Sequence, residues 1–186
     1  LTLGEASLRL GRFREALDGY VRQEVSSGHS RRQLLFLAAA LHDAGKPDTG
    51  DLAQDGRLRF LRHDEHGAGL AAACARRLRL SAEEAEFVSL VVRNHMRPET
   101  LQAAAAVTPR AAYRFFRDSG PAGVAVVLLS LADLLGKYAS PPPQAEWAGR
   151  VGVARSLLEA AFEQESRVVN PPRLLDGDDV MRALSL

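Results

Sequence analysis

The adjacent pair His42-Asp43, followed by His63, His95 and Asp133, carries most of the chemistry legible in this chain of 186 residues. Imidazole nitrogen and carboxylate oxygen together suit iron, manganese, nickel or zinc, and magnesium if the histidines contribute little. His42-Asp43 ends the apolar run 34–41. Burying an imidazole and a carboxylate there without partners would cost several kcal/mol, and a divalent cation held by both removes that cost.

Helical spacing turns each of the five inward. His42 follows Leu35 and Ala38 on one face, His63 heads Gly67, Leu70, Cys74 and Leu78, His95 ends Val88 and Val91, and Asp133 follows Val126 and Leu129. A lone inward histidine is more often a hydrogen-bonded core residue, and Asp133 alone reads equally well as a carboxylate capping a neighbouring helix. Five such coincidences outweigh that reading. The mixture argues against a calcium cage or a cysteine-rich zinc site. His29, in a turn, and His66, one helical turn beyond His63 but with no comparable stripe, are weaker candidates.

The elements that must position these groups are helical nearly throughout. The pattern predicts helices over 5–25 and 31–44, the latter closed by Gly45 and stopped by Pro47. A loop follows over 47–61, with a small hairpin at Asp55-Gly56. Helical periodicity returns over 63–79, and Ser81-Ala82-Glu83-Glu84 is a capping box opening a helix to about 97. Thr108-Pro109 starts another helix, one more covers 121–137, and a long one follows Pro141–Pro143 to about 166. No alternating strand of convincing length and no internal repeat is present. The fold class is all-α.

Composition bounds the rest. With 46% hydrophobic and 25% charged residues, the whole of 1–186 reads as one domain with a sizeable core. A formal charge of +1 excludes a strong overall pull toward nucleic acid or membrane, although Arg76, Arg77 and Arg79 form a local cluster able to meet phosphates. The same cluster reads equally well as a solvated helix face. Cys74 is the single cysteine and reads as a small core residue, which fits a reducing compartment. The longest apolar stretches are about half a membrane span and no signal-peptide pattern is present, so a cytoplasmic location with no membrane partner is expected. A chain that starts at Leu1 without methionine reads as part of a longer one.

The order His42-Asp43, His63, His95, Asp133 resembles the metal-dependent phosphohydrolases of the HD superfamily, a helical-bundle fold. The likeness is greatest to the HD domain attached to some bacterial tRNA nucleotidyltransferases and poly(A) polymerase-related proteins. Leu41-His42-Asp43-Ala44-Gly45-Lys46-Pro47 resembles their Leu-His-Asp-Ile-Gly-Lys-Pro segment, and Phe60–Ala68 resembles Phe-x-x-His-Glu-x-x-Gly-Ala. Val91–Pro98 resembles Leu-Val-Arg-His-His-Met-Arg-Pro, Ser130-Leu131-Ala132-Asp133 matches the last acidic position, and Pro171–Gly177 resembles a tail of that subgroup.

The resemblance implies His42, Asp43, His63, His95 and Asp133 as metal ligands for manganese, nickel, iron, zinc or magnesium. It further implies metal-activated water attacking a nucleotide or RNA phosphoester, with Asp43 catalytic through ligation or by orienting the water. Lys46 and Arg97 would bind phosphate, Lys46 also as a catalytic cation; both read equally well as helix C-terminal cations. Two departures stand out. No histidine precedes His29, where the family pattern has one upstream of the His-Asp pair, so that ligand lies outside the chain or is replaced around 8–12. Asn94 stands where the family segment often has the first of two histidines.

Those departures keep a second reading open: a non-catalytic or degenerate HD module of a tRNA nucleotidyltransferase-related protein, serving RNA binding through neighbouring domains or a homodimer. Nucleotide addition by this chain itself fares badly. Asp176-Gly177-Asp178-Asp179 has no strand or glycine-rich loop nearby and reads as an N-terminal cap.

Overall fold

A computed structural model describes residues 10–172 apart from 27, 105 and 139, together with Asp179, Met181 and Arg182. Of the expected tail, only Pro171 and Pro172 fall within it, and the expected acidic cap is described only at Asp179. Leu8 and Arg9, at the start of the window for a replaced ligand, also lie outside the described residues.

The chain enters through a single 3-10 turn at Gly11–Phe13 into α1 (Arg14–Arg22). Ser30 then opens α2 (Arg31–Leu41) with a reciprocal cap: its Oγ accepts from the Gln33 N–H, and the Gln33 side chain accepts from the Ser30 N–H at 2.8 Å. Two of the helix's free donors are satisfied in this way. Its buried face is Leu34 and Ala38.

The periodicity that predicts a helix to 44 stops at Leu41. The Ala44 N–H bonds back to Leu41 O and the Lys46 N–H to Asp43 O, both at 3.0 Å, so 42–45 is a tight turn. Pro47 then begins a short α3 (Lys46–Thr49) rather than ending α2, its fixed φ suiting a first helical turn. Gly45 also differs from the expected cap, since its φ of −81° is ordinary helical backbone. Glycine is needed because α4 (His63–Arg77) passes so close. A Cβ at Gly45 would lie 2.1 Å from His63 O and 2.7 Å from Gly67 N.

Between α3 and α4 lies the expected hairpin, β1 (Gly50–Leu52) antiparallel to β2 (Leu58–Phe60), with Leu52 opposite Leu58 and Gly50 opposite Phe60. Gly56 takes the left-handed conformation at its tip, with φ 75°.

α4 packs along α5 (Ala82–Asn94), and the expected stripe on α4 proves out of phase. Leu70 and Leu78 are exposed and Cys74 is half-buried, whereas His63, Gly67, Ala68, Ala71 and Ala75 are buried. Small residues rather than leucines face α5 because the axes approach closely: a Cβ on Gly67 would already lie 3.3 Å from Val92. α5 opens with the predicted Ser81–Glu84 capping box and buries Phe87, Val88, Val91 and Val92.

That helix stops at Asn94, short of the expected 97, and a separate α6 (Arg97–Ala103) follows the corner His95-Met96. Thr108 caps α7 (Pro109–Ser119) by accepting from the Ala111 N–H. After a 3-10 turn at Gly120–Ala122 comes α8 (Gly123–Gly136), buried along most of its length from Gly123 to Leu134. Together 109–136 are apolar enough by length and composition to cross a membrane, more than the half-span expected. The run is nevertheless interrupted by that turn, and 61% of its most apolar window is buried inside the fold, as in a core helix. α9 (Gln144–Phe162) packs on α8 and α6, ending in a π-helical turn at Glu165–Val169.

Candidate metal centre

Three helix ends meet at one place. His42 is the C-cap of α2, His95 the C-cap of α5, and His63 the first residue of α4. Asp43 follows His42 in the tight turn, and Asp133 reaches in from the last turn of α8. The close approach at Gly45 seats the His42-Asp43 turn against the start of α4.

All three imidazoles are held by one device. His42 Nδ1 bonds Ala39 O at 2.8 Å, His63 Nδ1 bonds Phe60 O at 2.8 Å, and His95 Nδ1 bonds Val92 O at 2.6 Å, each to the carbonyl three residues earlier. A carbonyl can only accept, so Nδ1 carries the proton and each neutral ring presents a bare Nε2. Those nitrogens converge. His63 Nε2 lies 3.2 Å from His95 Nε2, with the two rings at 66°. Two lone pairs at that distance repel unless a proton or a cation lies between them.

Asp43 is the hub. Its Oδ1 lies 3.6 Å from His63 Nε2 and 3.8 Å from His95 Nε2, while its Oδ2 lies 3.4 Å from His42 Nε2. On the far side, Asp133 Oδ1 lies 3.3 Å from His42 Nε2. Donor atoms of Asp43, His63 and His95 all fall within 4.8 Å of one another, compact enough to share one ion. The set passes a chemical test for a divalent cation: five nitrogen and oxygen donors, with ring orientation fixed by backbone carbonyls and too few protons to satisfy the lone pairs internally. His63 and His95 are buried, whereas Asp43 and Asp133 are half-buried, leaving the carboxylate side open.

The electrostatics divide the histidines. The bond to Asp133, with the nearby charge of Asp43, raises the pKa of His42 above the usual value despite partial burial. Burial lowers that of His95, and positive charge on His42 or His63 adds to the effect. Asp133 is held below the ordinary carboxylate range by its hydrogen bond from His42. Of these two rings, His42, faced by two carboxylates, is thus the one that holds a proton more readily than His95.

The expected phosphate-binding residues part company. Lys46 Nζ sits 2.6 Å from Asp43 Oδ2, directly in the site, and 5.7 Å from the Phe60 ring centroid. Arg97 is engaged elsewhere: it donates to Asp118 at 3.0 Å and to Asn94 at 3.3 Å, and lies over Phe115. Asn94 turns away as well, donating to Leu90 O at 2.8 Å. The weaker histidines are accounted for locally, His29 by Glu84 and His66 by Asp48. Arg76, Arg77 and Arg79 are exposed at the end of α4. Arg12, in the window for a replaced ligand, pairs with Glu159 and Glu163 on α9.

One positioning residue was not foreseen. Arg150 on α9 is buried and donates to Gln102 at 2.9 Å and to Ser130 O at 3.2 Å. It thereby pins α8 one turn before Asp133. A cation among Trp147, Val151 and Ala154 was the available signal.

The HD domain family profile matches residues 5–138. The chain belongs to the HD domain family. Among curated proteins, this HD chain is 32% identical over 154 residues to the A-adding tRNA nucleotidyltransferase of Deinococcus radiodurans, covering 82% of the chain and 33% of that protein. It is 35% identical over 156 residues to the CC-adding tRNA nucleotidyltransferase of Thermus thermophilus, covering 81% of the chain and 31% of that protein. The HD chain thus spans about one third of the length of these relatives.

Proposed function

We propose that this HD domain is a metal-dependent phosphohydrolase acting on a nucleotide or RNA phosphoester. The convergence of the three Nε2 atoms on the Asp43 carboxylate carries the reading. His42, Asp43 and Asp133 would hold one divalent ion, and His63 and His95 a second, with Asp43 between them. When bound, such ions supply Lewis acidity and a water of lowered pKa. The residues do the rest. Asp43 and Asp133 concentrate negative charge at the open side, and the ammonium of Lys46 offsets charge developing on a phosphoryl oxygen. The backbone bonds at Nδ1 keep the three rings in register while Asp43 orients the attacking water. A phosphate contact from Arg97 would require it to exchange Asp118 for the substrate.

Asp43→Ala is the direct test. Metal content and turnover are measured on a panel of mononucleotides, cyclic 2',3'-phosphates and RNA ends, with added manganese or nickel. The expected outcome is loss of both in the variant. Unchanged metal-dependent turnover would sink the proposal.

The second reading is a non-catalytic HD module serving RNA binding or a homodimer, as part of a larger tRNA nucleotidyltransferase-related protein. It draws support from the Lys46–Asp43 contact, in which an internal cation already occupies the central carboxylate. The names of the relatives, both of which add nucleotides, point the same way. An inert, metal-free wild-type chain at millimolar manganese would favour it.

A further inference from the structure

We propose that the arginine face of α7 is the track along which a single-stranded RNA reaches the metal centre, so that the substrate is a strand end rather than a free mononucleotide. The inference rests on the phosphoester reading above and names the form in which the phosphoester arrives.

The buried side of α7 is Ala112, Phe115, Phe116 and Ser119, and its outer side carries Arg110, Arg114 and Arg117, all exposed. Spacings of four and three residues align these cations over about 10 Å of helix. Among the described residues, Arg110 and Arg114 enter no hydrogen bond, ion pair or ring contact. Neither charge serves the helix. Like charges four residues apart repel, and Arg110 stands in the first turn, where the helix dipole disfavours a cation. Tyr113, also exposed, flanks the row and offers a ring on which a base can stack. Unpaired guanidinium groups beside an exposed aromatic fit the backbone and bases of a single strand. An anionic membrane fits less well, because the apolar side of α7 is already buried and cannot enter lipid.

The row ends beside the metal centre. Asp118, the one acid in α7, accepts from Arg117 at 2.7 Å through Oδ1 and from Arg97 at 3.0 Å through Oδ2. Arg97 opens α6 two residues after His95. Sharing one carboxylate between two guanidinium groups makes Arg97 releasable: when it turns to a phosphate, Asp118 keeps Arg117 as its partner. A strand lying on Arg110 and Arg114 thus meets Arg97 at the corner that carries His95.

The test uses the chain stripped of metal by a chelator, so that no turnover intervenes, and follows a labelled uridine hexanucleotide by fluorescence anisotropy. Unlabelled competitors should strengthen from uridine 5'-monophosphate through the dinucleotide to the hexanucleotide. Three phosphate contacts predict a slope of about −2 for log affinity against log salt. Arg110→Gln with Arg114→Gln keeps two good helix formers, and should weaken binding at low salt roughly tenfold and flatten the slope by about 1.4. Arg76→Gln with Arg77→Gln removes the same charge from α4 and should change neither quantity. Tyr113→Ala should cost roughly tenfold for the strand and nothing for an RNA duplex. The proposal is overturned if the mononucleotide competes as well as the hexanucleotide, if the two double variants lose affinity equally, or if the duplex competes as well as the strand. Binding that follows the α7 arginines in a chain that hydrolyses no phosphoester with manganese supports the track and removes the phosphohydrolase reading. Manganese-dependent hydrolysis of RNA ends that is indifferent to Arg110→Gln with Arg114→Gln keeps that reading and overturns the track.

Discussion

Two histidine–carboxylate pairs in this molecule look alike on paper and behave oppositely. His29 Nδ1 meets Glu84 Oε1 at 2.8 Å, and His42 Nε2 meets Asp133 Oδ1 at 3.3 Å. Glu84 is fully buried, yet its carboxylate also accepts from the Ser81 N–H, while the Ser81 hydroxyl caps the Glu84 N–H. Both Glu84 carboxylate oxygens and the Ser81 and Glu84 amides are thus partnered. At His42 the sums do not close, because its Nδ1 is already spent on a carbonyl and its Nε2 faces two carboxylates, with two further bare nitrogens nearby. A closed pair fastens the loop before α2 to α5, whereas an open one waits for something else. What separates structural from chemical use is the surplus of lone pairs, not the residue types.

His42→Ala should show the contrast at its strongest. Metal affinity, measured by calorimetry, is expected to fall by more than the roughly 10–100-fold that loss of an outer partner costs, while the metal-free fold melts almost as before. Equal affinity would erase the distinction. Glu84→Ala should do the reverse, lowering unfolding free energy in urea by about 2–3 kcal/mol through an uncapped helix and an unpaired loop. Its metal affinity should match that of wild type; a joint loss would mean that the two pairs are coupled.

The pairs also separate by pH. Because the pKa of His42 is raised, its proton stabilises the metal-free fold below the ordinary histidine pKa, and that contribution is lost as pH rises through the raised value. An ion competes for the same nitrogen, so metal affinity should drop as pH falls through that value, releasing about one proton per ion bound. A flat affinity profile across neutral pH would contradict this. Glu84 runs the other way. Burial opposes its ionisation, but the bonds from Ser81 and His29 prevail and lower its pKa. Its stabilisation is present above the ordinary glutamate pKa and fades only as pH falls through the depressed value, far from neutrality. The smallest effect belongs to His66→Ala, which breaks an exposed pair with Asp48. Stability should change by less than about 0.5 kcal/mol and metal affinity not at all.

Much of the open site was legible because His95 and Asp133 end apolar helical stripes, His42-Asp43 closes an apolar run, and the order of the motifs matched one family. Val88 and Val91 are indeed buried beneath His95, as are Val126 and Leu129 beneath Asp133. The closed pair was not legible. His29 and Glu84 lie 55 residues apart, and nothing local links a turn histidine to a capping glutamate. The phase of α4 is hidden for a related reason: helical spacing places Leu70 and Leu78 inward, but tight packing against α5 selects alanine and glycine for the inner face. The same closeness explains Gly45, whose role as a spacer only the neighbouring backbone reveals.

Gly45 has a mechanical consequence. By letting the turn after α2 rest directly on the backbone of α4, it welds His42, Asp43 and His63 into one stiff block, while His95 and Asp133 ride on the separate beams α5 and α8. The aperture between the block and those beams is then the adjustable dimension of the centre. A methyl group at position 45 would act like a shim, prying the block apart from within and spoiling the alignment without touching a single donor atom.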